Sequence, residues 1–486
     1  MCECAKRVSR RSVLLAGAVS TLLPAVAFAE QLDSERTKTI KGRFEPSAPD
    51  WAYLPVEVPR GVHEIEVVYR YDRPPGVPGN ALDIGMFGPE GHELGNHRGF
   101  RGWSGGARDR FTISASGATP GYLPGPVIAG TWHVLLGPYT VSPQGMNYEV
   151  DVTLRFGPPG EPIRPNPAPR RATGRGRAWY RGDCHLHTVH SDGKRTPEEL
   201  ITAAKAAGLD FFVSTEHNTT SASLRWGDHA QPDLLIVNGE EVTTRSGHWP
   251  ALGLPPGYWI DWRYRGSEQA AFERFARRVH AVGGLVVAAH PYAACPGCSW
   301  EFGYDHVDAV EVWNGDWSFD DELSVRLWDG LLREGKWVPA IGSSDAHREP
   351  QPVGLPQTVV LADDLDTRSV LAGIAAGRSW LAESSRVELT MRAVAGRQVA
   401  GIGDRLRAAE ARIELDIAGA PGCEVRLITP TRIAHSEWIP ATGRAQVRWA
   451  AVDADWVRAE VRRPLRTPTT PDTVVALTNP IFLGRR

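Results

Sequence analysis

Side chains able to bind a divalent cation stand just beyond each of several short apolar runs in the middle of this chain. The first run ends in Asp183-Cys184-His185-Leu186-His187, where alternation along a strand points both histidines to one side, as two ligands on one ion require. Asp192 follows in Ser191-Asp192-Gly193. Later runs end in Thr215-Glu216-His217-Asn218, in Asn238-Gly239-Glu240-Glu241 with His248 just beyond, and in Ala289-His290-Pro291. The last ends in Ser343-Ser344-Asp345-Ala346-His347, where Asp345 and His347 again share a parity. A histidine taken singly is more often a surface or satisfied core residue, and that reading is kept for His63, His92, His97, His133, His229 and His435. Two His-x-His or Asp-x-His pairs at strand ends, with isolated His and Glu at others, are hard to explain by packing. The candidate ligands are therefore His185, His187, Asp192, His217, Glu240, His248, His290, Asp345 and His347, more than one ion needs.

The chemistry such a set supports is hydrolysis. Two ions that share a carboxylate lower the pKa of a bridging water enough to give hydroxide at neutral pH, and they polarise the bond under attack. Glu240, Asp345 and His290 are read as the catalytic members. Imidazole and carboxylate ligands without thiolate suit manganese, zinc or iron, and spacing does not choose among them. Cys184, between the ligand parities, is expected in the core, away from the ions. Arg348, beside His347, and Lys194 and Arg195, after Ser-Asp-Gly, are candidate substrate contacts.

Ligands so scattered need a fold that gathers strand ends. After Trp179, short buried runs alternate with helical patterns over roughly two hundred residues, which is an α/β texture. In the first helix Thr196 caps, Pro197 opens and Glu199 completes a capping box; Leu200, Ile201, Ala204 and Ala207 share a face, and Gly208 ends it. Strands are expected at Phe211 to Thr215, Leu234 to Val237, Leu285 to Ala289, Ala309 to Val312 and Val338 to Ile341, and helices at about Phe272 to Ala281 and Asp320 to Glu334. In a parallel α/β barrel the C-terminal ends of the strands meet at one face, so these ligands converge.

Around this region the texture is β. Alternating runs such as His63-Glu64-Ile65-Glu66-Val67-Val68-Tyr69 and Trp132-His133-Val134-Leu135-Leu136, separated by Gly and Pro clusters, predict an antiparallel sandwich over 40–157. A Pro-, Gly- and Arg-rich linker spans 158–177. The α/β region occupies 178–385, and alternation returns in a second β-domain over 386–486.

Composition names no partner. With 486 residues, a net charge of -3, 42% hydrophobic and 23% charged residues, the chain reads as a soluble protein of two or three domains, and electrostatic binding of nucleic acid is not expected. Residues 1–29 read as a twin-arginine signal peptide: Ser9-Arg10-Arg11-Ser12 precedes an apolar stretch, and Ala27-Phe28-Ala29 offers a cleavage site. The expected partners are thus the twin-arginine export machinery and a small-molecule ester. The expected location is periplasmic or extracellular, with no stable membrane anchor after cleavage. An uncleaved N-terminal anchor is the alternative. In an oxidising compartment Cys295-Pro-Gly-Cys298 fits either a small disulfide loop or two free thiols. Oligomeric state is not legible.

His185-Leu-His187-Thr, Ser191-Asp192-Gly193, Thr215-Glu216-His217-Asn218, Ala289-His290-Pro291 and Ser344-Asp345-Ala-His347 together resemble the PHP (polymerase and histidinol phosphatase) superfamily over about Trp179 to Ala382. The flanking β-domains and Asn479-Pro480-Ile481 are similar to its exported branch of carbaryl-hydrolase-like metallohydrolases. The resemblance implies a distorted (β/α)7 TIM-like barrel and two to three divalent ions. By motif, His185, His187 and Asp345 would hold one ion, Glu240 would bridge to a second held by His290 and His248, and Asp192, His217 and His347 would hold the third. Glu216 stands where the family often has Asp, and is not counted as a ligand. The resemblance favours a phosphoesterase. Cleavage of a carboxylic or carbamic ester is the alternative, and a non-catalytic binding or scaffold protein with a relic barrel is a third reading, in which Trp51, Tyr53 and Trp103 would line a carbohydrate site.

Overall fold

The computed structural model describes residues 34–484 apart from 76–78, 409, 453 and 466–471; the signal read at 1–29 lies outside them. Strands between Glu35 and Phe156 form two four-stranded antiparallel sheets. One runs in the order Glu35–Phe44, Met146–Phe156, Val62–Tyr71, Arg110–Ser114, and the other Ala52–Val58, Gly130–Thr140, Ala81–Phe87, Phe100–Gly105. Every second residue is apolar, and those residues meet between the sheets: Ile65, Val67 and Val150 from one pack with Val56, Trp132 and Val134 from the other. The stretch read as a linker is tied down, with Ala172 N donating to Leu365 O and Thr173 N to Pro232 O.

The middle of the chain is a mixed α/β unit built on one curled sheet. Its strands lie in the order Ala340–Ser343, Ala309–Asn314, Leu285–Ala288, Gly247–Leu252, Leu235–Thr244, Phe211–Ser214, Ala178–Leu186, Gln357–Ala362, Ser379–Ala382. The sheet bends back on itself, since Leu186 at the end of one strand bridges in parallel to Ala346 just past another. Alternation of strand and helix is incomplete. Gly247–Leu252 returns antiparallel to Leu235–Thr244 after a two-residue turn, and Gln357–Ala362 runs antiparallel to Ala178–Leu186.

The first helix, Pro197–Ala206, carries the expected reciprocal cap between Thr196 and Glu199 and buries Leu200, Ile201 and Ala204. Helices Gln269–Ala281 and Phe319–Arg333 begin slightly before the expected starts. In the latter, Ser318 caps while Asp321 accepts from the Ser318 N–H, so a capping box one residue ahead of the apolar pattern sets the boundary.

The C-terminal strands do not stand apart. Thr473–Thr478 pairs with Ser379–Ala382 and carries the curled sheet on through Trp456–Arg463, Glu424–Ile428 and Ile433–Trp438. A separate four-stranded sheet, containing Glu388–Ala395, Gln398–Gly401, Glu410–Ala418 and Arg444–Val452, packs on it through Leu389, Ile413, Leu415, Val425 and Val461. Among the described residues no helix is long and apolar enough to cross a membrane.

Candidate metal centre

Strand ends of the curled sheet deliver the imidazoles and carboxylates to one place. His185 and His187 leave the end of Ala178–Leu186 on one side, both fully buried. His187 Nε2 lies 3.0 Å from Asp345 Oδ1, and His185 Nε2 lies 3.4 Å from the same oxygen. His347 and His217 face Asp192 Oδ1 at 3.2 and 3.5 Å. Three groups of donor atoms are close enough to share an ion: His185, His187 and Asp345; His185, Glu241 and His290; and His187, Asp192, His217 and His347.

The carboxylate at the centre is Glu241, and this corrects the expectation for Glu240. Glu241 Oε2 lies 3.2 Å from His185 Nε2, 3.4 Å from His187 Nε2 and 2.8 Å from His217 Nδ1. Its Oε1 lies 3.0 Å from His248 Nδ1 and 3.4 Å from His290 Nε2. Glu240 points to the other side of the strand, where its carboxyl accepts from Ile260 N at 2.9 Å. Side-chain alternation decides the matter. Glu241 shares its parity with Leu235 and Val237, which pack with Val213, Val287 and Ile341, whereas Glu240 shares its parity with Ile236, which packs on the first helix.

Burial makes the electrostatics strong. Burial alone would raise Glu241, but His217, His185 and His248 outweigh it and hold the carboxyl well below the usual range. Asp345 is likewise held far down against its burial, by His185, His187 and His347. Burial lowers His187 to about 3, with His347 and His217 adding to it, whereas Glu241 and Asp192 overcome burial to lift His217 to about 10. Burial pushes the Glu240 carboxyl well up, against the opposing Ile260 N–H and the more distant charge of Arg278.

Several buried donor atoms make no hydrogen bond among the described residues: His185 Nε2, His187 Nε2, His248 Nε2, Asp192 Oδ1, Asp345 Oδ1 and both oxygens of Glu241. Buried polar atoms are ordinarily satisfied, so an orphaned set of imidazole nitrogens and carboxylate oxygens converging from separate strands fits divalent cations.

A second layer of residues orients the first, and most of it escaped the sequence reading. Glu311, on Ala309–Asn314, receives His185 Nδ1 at 3.2 Å and the His290 N–H at 3.1 Å. This leaves His185 Nε2 facing the centre. Asn314 Nδ2 donates to Glu311 at 2.9 Å and approaches Asp345 Oδ2 at 3.3 Å. Asp183 accepts from Ser344 Oγ at 2.5 Å, Ser344 N at 3.1 Å and Gly354 N at 2.9 Å, joining the His185 strand to the Asp345 segment. Glu216 is not among the clustered donors. It accepts from Thr188 Oγ1 at 2.5 Å and Ser191 Oγ at 2.6 Å, pinning the loop that carries Asp192. Gly193 is required there, since a Cβ would sit 2.6 Å from the His187 carbonyl carbon. Among the described residues, Asn218, His290 and Asp345 are the non-glycine residues with left-handed φ, at 54°, 26° and 49°. Such backbone costs of order 1–3 kcal/mol each and gathers at functional sites.

The expected substrate cations fall elsewhere. Arg195 is buried and committed to Glu349 and Gln351, while Lys194 and Arg348 are exposed and line with it a separate depression beside the first helix. The surface charge of Lys194 and Arg348 is simply solvated, and Arg195 serves as a clasp. The cavity that reaches the centre, of about 420 Å³, is bordered by Asp192, His217 and His248 and, unforeseen, by the N-terminal sandwich. Cys184 is buried among Tyr180, Val213 and Ile341, away from the clustered donors. Cys295 and Cys298 are joined by a disulfide.

No family model matches the sequence, and no curated protein matches it. Among solved structures the chain is similar to a two-domain protein from Bacteroides vulgatus containing a predicted PHP-like metal-dependent phosphoesterase, with 16% identity over 66% of this chain and 100% of that one, at a TM-score of 0.36. It is also similar to an amidohydrolase from Chromobacterium violaceum with bound sulfate and no metal, at 19% identity over 36% of this chain and 89% of that one, TM-score 0.26. A putative metal-dependent phosphoesterase from Bifidobacterium adolescentis has 18% identity over 36% of this chain and 90% of that one, TM-score 0.26.

Proposed function

We propose that this protein is a metal-dependent hydrolase of the PHP type, holding two to three divalent ions and acting on an ester bond, with a phosphoester favoured. The observation that carries the reading is Glu241, a buried carboxylate whose two oxygens face five histidines from four segments of chain. Held among these residues, divalent ions supply Lewis acidity and lower the pKa of coordinated water towards neutrality. The chain's own residues do the rest. Glu311 fixes the His185 ring, Glu216 and Gly193 place Asp192, and Asp183 holds the Asp345 segment against the histidine strand. His217, His248 and Asp192 form the edge of the centre that a substrate meets first. We read the curled sheet as a distorted (β/α)7 barrel in which one helix is replaced by the hairpin Leu235–Thr244/Gly247–Leu252.

A carboxylic or carbamic ester is the second reading, and one observation favours it. Lys194, Arg195 and Arg348 lie away from the cavity, and Arg245, which lines it, spends its guanidinium on Pro138 O and Asp50. A relic barrel is the weaker reading, because the donor set is complete. The leader read in 1–29 supports export to the periplasm or beyond, and the Cys295–Cys298 bridge suits an oxidising compartment.

The test is elemental analysis of protein prepared with manganese, zinc and iron available, followed by a panel of aryl phosphomonoesters, phosphodiesters, carbamates and carboxylic esters. Bound metal at about two to three equivalents and turnover of one ester class are expected. Protein that takes up no metal would refute the proposal.

A further inference from the structure

The three donor groups are not built alike. His185, His187 and Glu241 stand on strands of the curled sheet or directly at their ends and are buried, whereas Asp192, His217 and His347, which complete the third group with His187, lie farther out on loops and are half-buried. A sheet ladder fixes the first set. Loop positions have no ladder, so other contacts must hold them.

For two of these loops the contacts come from the N-terminal sandwich. Arg108, on the turn between Phe100–Gly105 and Arg110–Ser114, donates to the carbonyl of Val189 and, at 3.4 Å, to that of Ser191, both on the loop that carries Asp192. Ser191 is gripped from both sides, its carbonyl by Arg108 and its hydroxyl by Glu216 of the α/β unit at 2.6 Å. A second sandwich segment presses on the same loop. Gly121, at φ 99°, comes so close that a Cβ there would lie 3.0 Å from the His190 carbonyl oxygen. Its N–H donates to Ser221 Oγ at 3.0 Å, that oxygen lies 2.8 Å from His190 Nδ1, and the Gly121 carbonyl accepts from Thr219 Oγ1 at 2.8 Å. Thr219 and Ser221 directly follow His217. The sandwich therefore ties together the loops of Asp192 and His217, whose side chains meet at 3.5 Å.

We propose that the sandwich sets the metal affinity of the third group, His187, Asp192, His217 and His347, and that Arg108 is its positioning residue. A cation gains from this group only if Asp192 already faces His217 and His347, because a ligand left free has to be ordered by the ion and that cost is subtracted from binding. The planar fork of a guanidinium holds two carbonyls in one fixed geometry, which a single ammonium does not. Burial lowers the Arg108 pKa against the opposing pull of Tyr122, Glu216 and Asp192, which places the guanidinium within electrostatic reach of both carboxylates. The groups centred on Asp345 and Glu241 do not touch Arg108, so the third ion is the exchangeable one.

This assignment rests on the hydrolase reading for the presence of metal and not for the bond cleaved. The full chain, loaded with manganese, is dialysed against graded chelator, and the retained metal is counted by elemental analysis. Wild type should hold a tight pair of ions and a third that leaves first. Arg108→Ala should weaken the third about 10–100-fold, the range for losing a residue that orients a ligand, and leave the pair in place. A general loosening of the fold would drain all three together. Arg265→Ala, which breaks a contact between the sandwich and the α/β unit at Asp50, away from the loop, should keep all three. Hydrogen exchange on the wild type needs no variant: the third ion should slow exchange in residues 188–193 and 105–110 together. Only two ions in wild type, a third held equally by Arg108→Ala, a parallel loss of all three, an equal loss from Arg265→Ala, or exchange at 105–110 indifferent to the third ion would each overturn the inference. Three ions bound as expected with no turnover of any ester would keep it and overturn the hydrolase reading, and protein that binds no metal would overturn both.

Discussion

Glu241 presents each of its oxygens to different imidazoles while Glu240 accepts from Ile260 N, so the two adjacent glutamates can be separated by experiment. Glu241→Gln should lose metal and cut turnover by at least about 100-fold, since removal even of a residue that merely orients a ligand costs 10–100-fold in affinity or activity. Glu240→Gln should leave metal content intact and change stability by less than about 1 kcal/mol, because glutamine keeps the shape of the side chain and an oxygen to accept from Ile260 N. Elemental analysis and thermal melts on both variants check this pair, and metal loss from Glu240→Gln alone would reverse the assignment. Glu311→Ala should keep the fold and weaken metal binding about 10–100-fold through the His185 ring it orients, as read by chelator competition.

At the level of elements, the site depends on short segments that hold strand ends together. Asn479, fully buried beyond Thr473–Thr478, accepts from Ala340 N at 2.8 Å and donates to Ala340 O at 2.9 Å and Ser379 O at 3.1 Å. One side chain thus ties the C-terminal strand to the strand that leads to Asp345. Asn479→Ala strands these backbone groups, and a loss of about 2–4 kcal/mol is expected from denaturant unfolding, each buried orphan costing roughly 1–3 kcal/mol. Gly193→Ala should cost about 1–3 kcal/mol by forcing the Asp192 loop off the His187 backbone, with weaker metal binding at the Asp192 group. An unchanged melting temperature would show that the loop absorbs the methyl group.

Across the whole molecule, the central α/β unit is clasped from both sides. On the C-terminal side, Arg458 and Arg462 of Trp456–Arg463 hold Glu460 at 2.6 Å each, and they reach Asp329 and Glu322 on the helix Phe319–Arg333 at 2.9 and 2.8 Å. Burial would raise Glu460, but Arg458 and Arg462 outweigh it and hold it at about 2 against an ordinary 4.5. A carboxyl depressed on folding stabilises above its unfolded pKa and loses that contribution as pH falls through the folded value. Stability should therefore decline between about pH 4.5 and 2. Glu460→Gln should flatten that limb and destabilise the neutral protein by about 3–5 kcal/mol, the cost of leaving buried partner charges unpaired; denaturant midpoints against pH provide the check.

Local chemistry made much of this molecule legible in one dimension. The capping box at Thr196 and Glu199, the alternating runs of the sandwich and the His-x-His and Asp-x-His pairs are set by neighbours within a turn of helix or along one strand, so the residues alone determine them. Clustering of His185, His187, His217, His290, Asp345 and His347 followed from their shared position at strand ends. Tertiary structure decided the rest. Which of Glu240 and Glu241 faces inward depends on which side of the strand the sheet curls towards, and Glu311 becomes an orienting residue only because Ala309–Asn314 lies near Ala178–Leu186 across the curl. The aromatic wall of the cavity depends on the upstream sandwich docking against the α/β unit. No local pattern encodes that contact, because it joins residues far apart in sequence in one shared core.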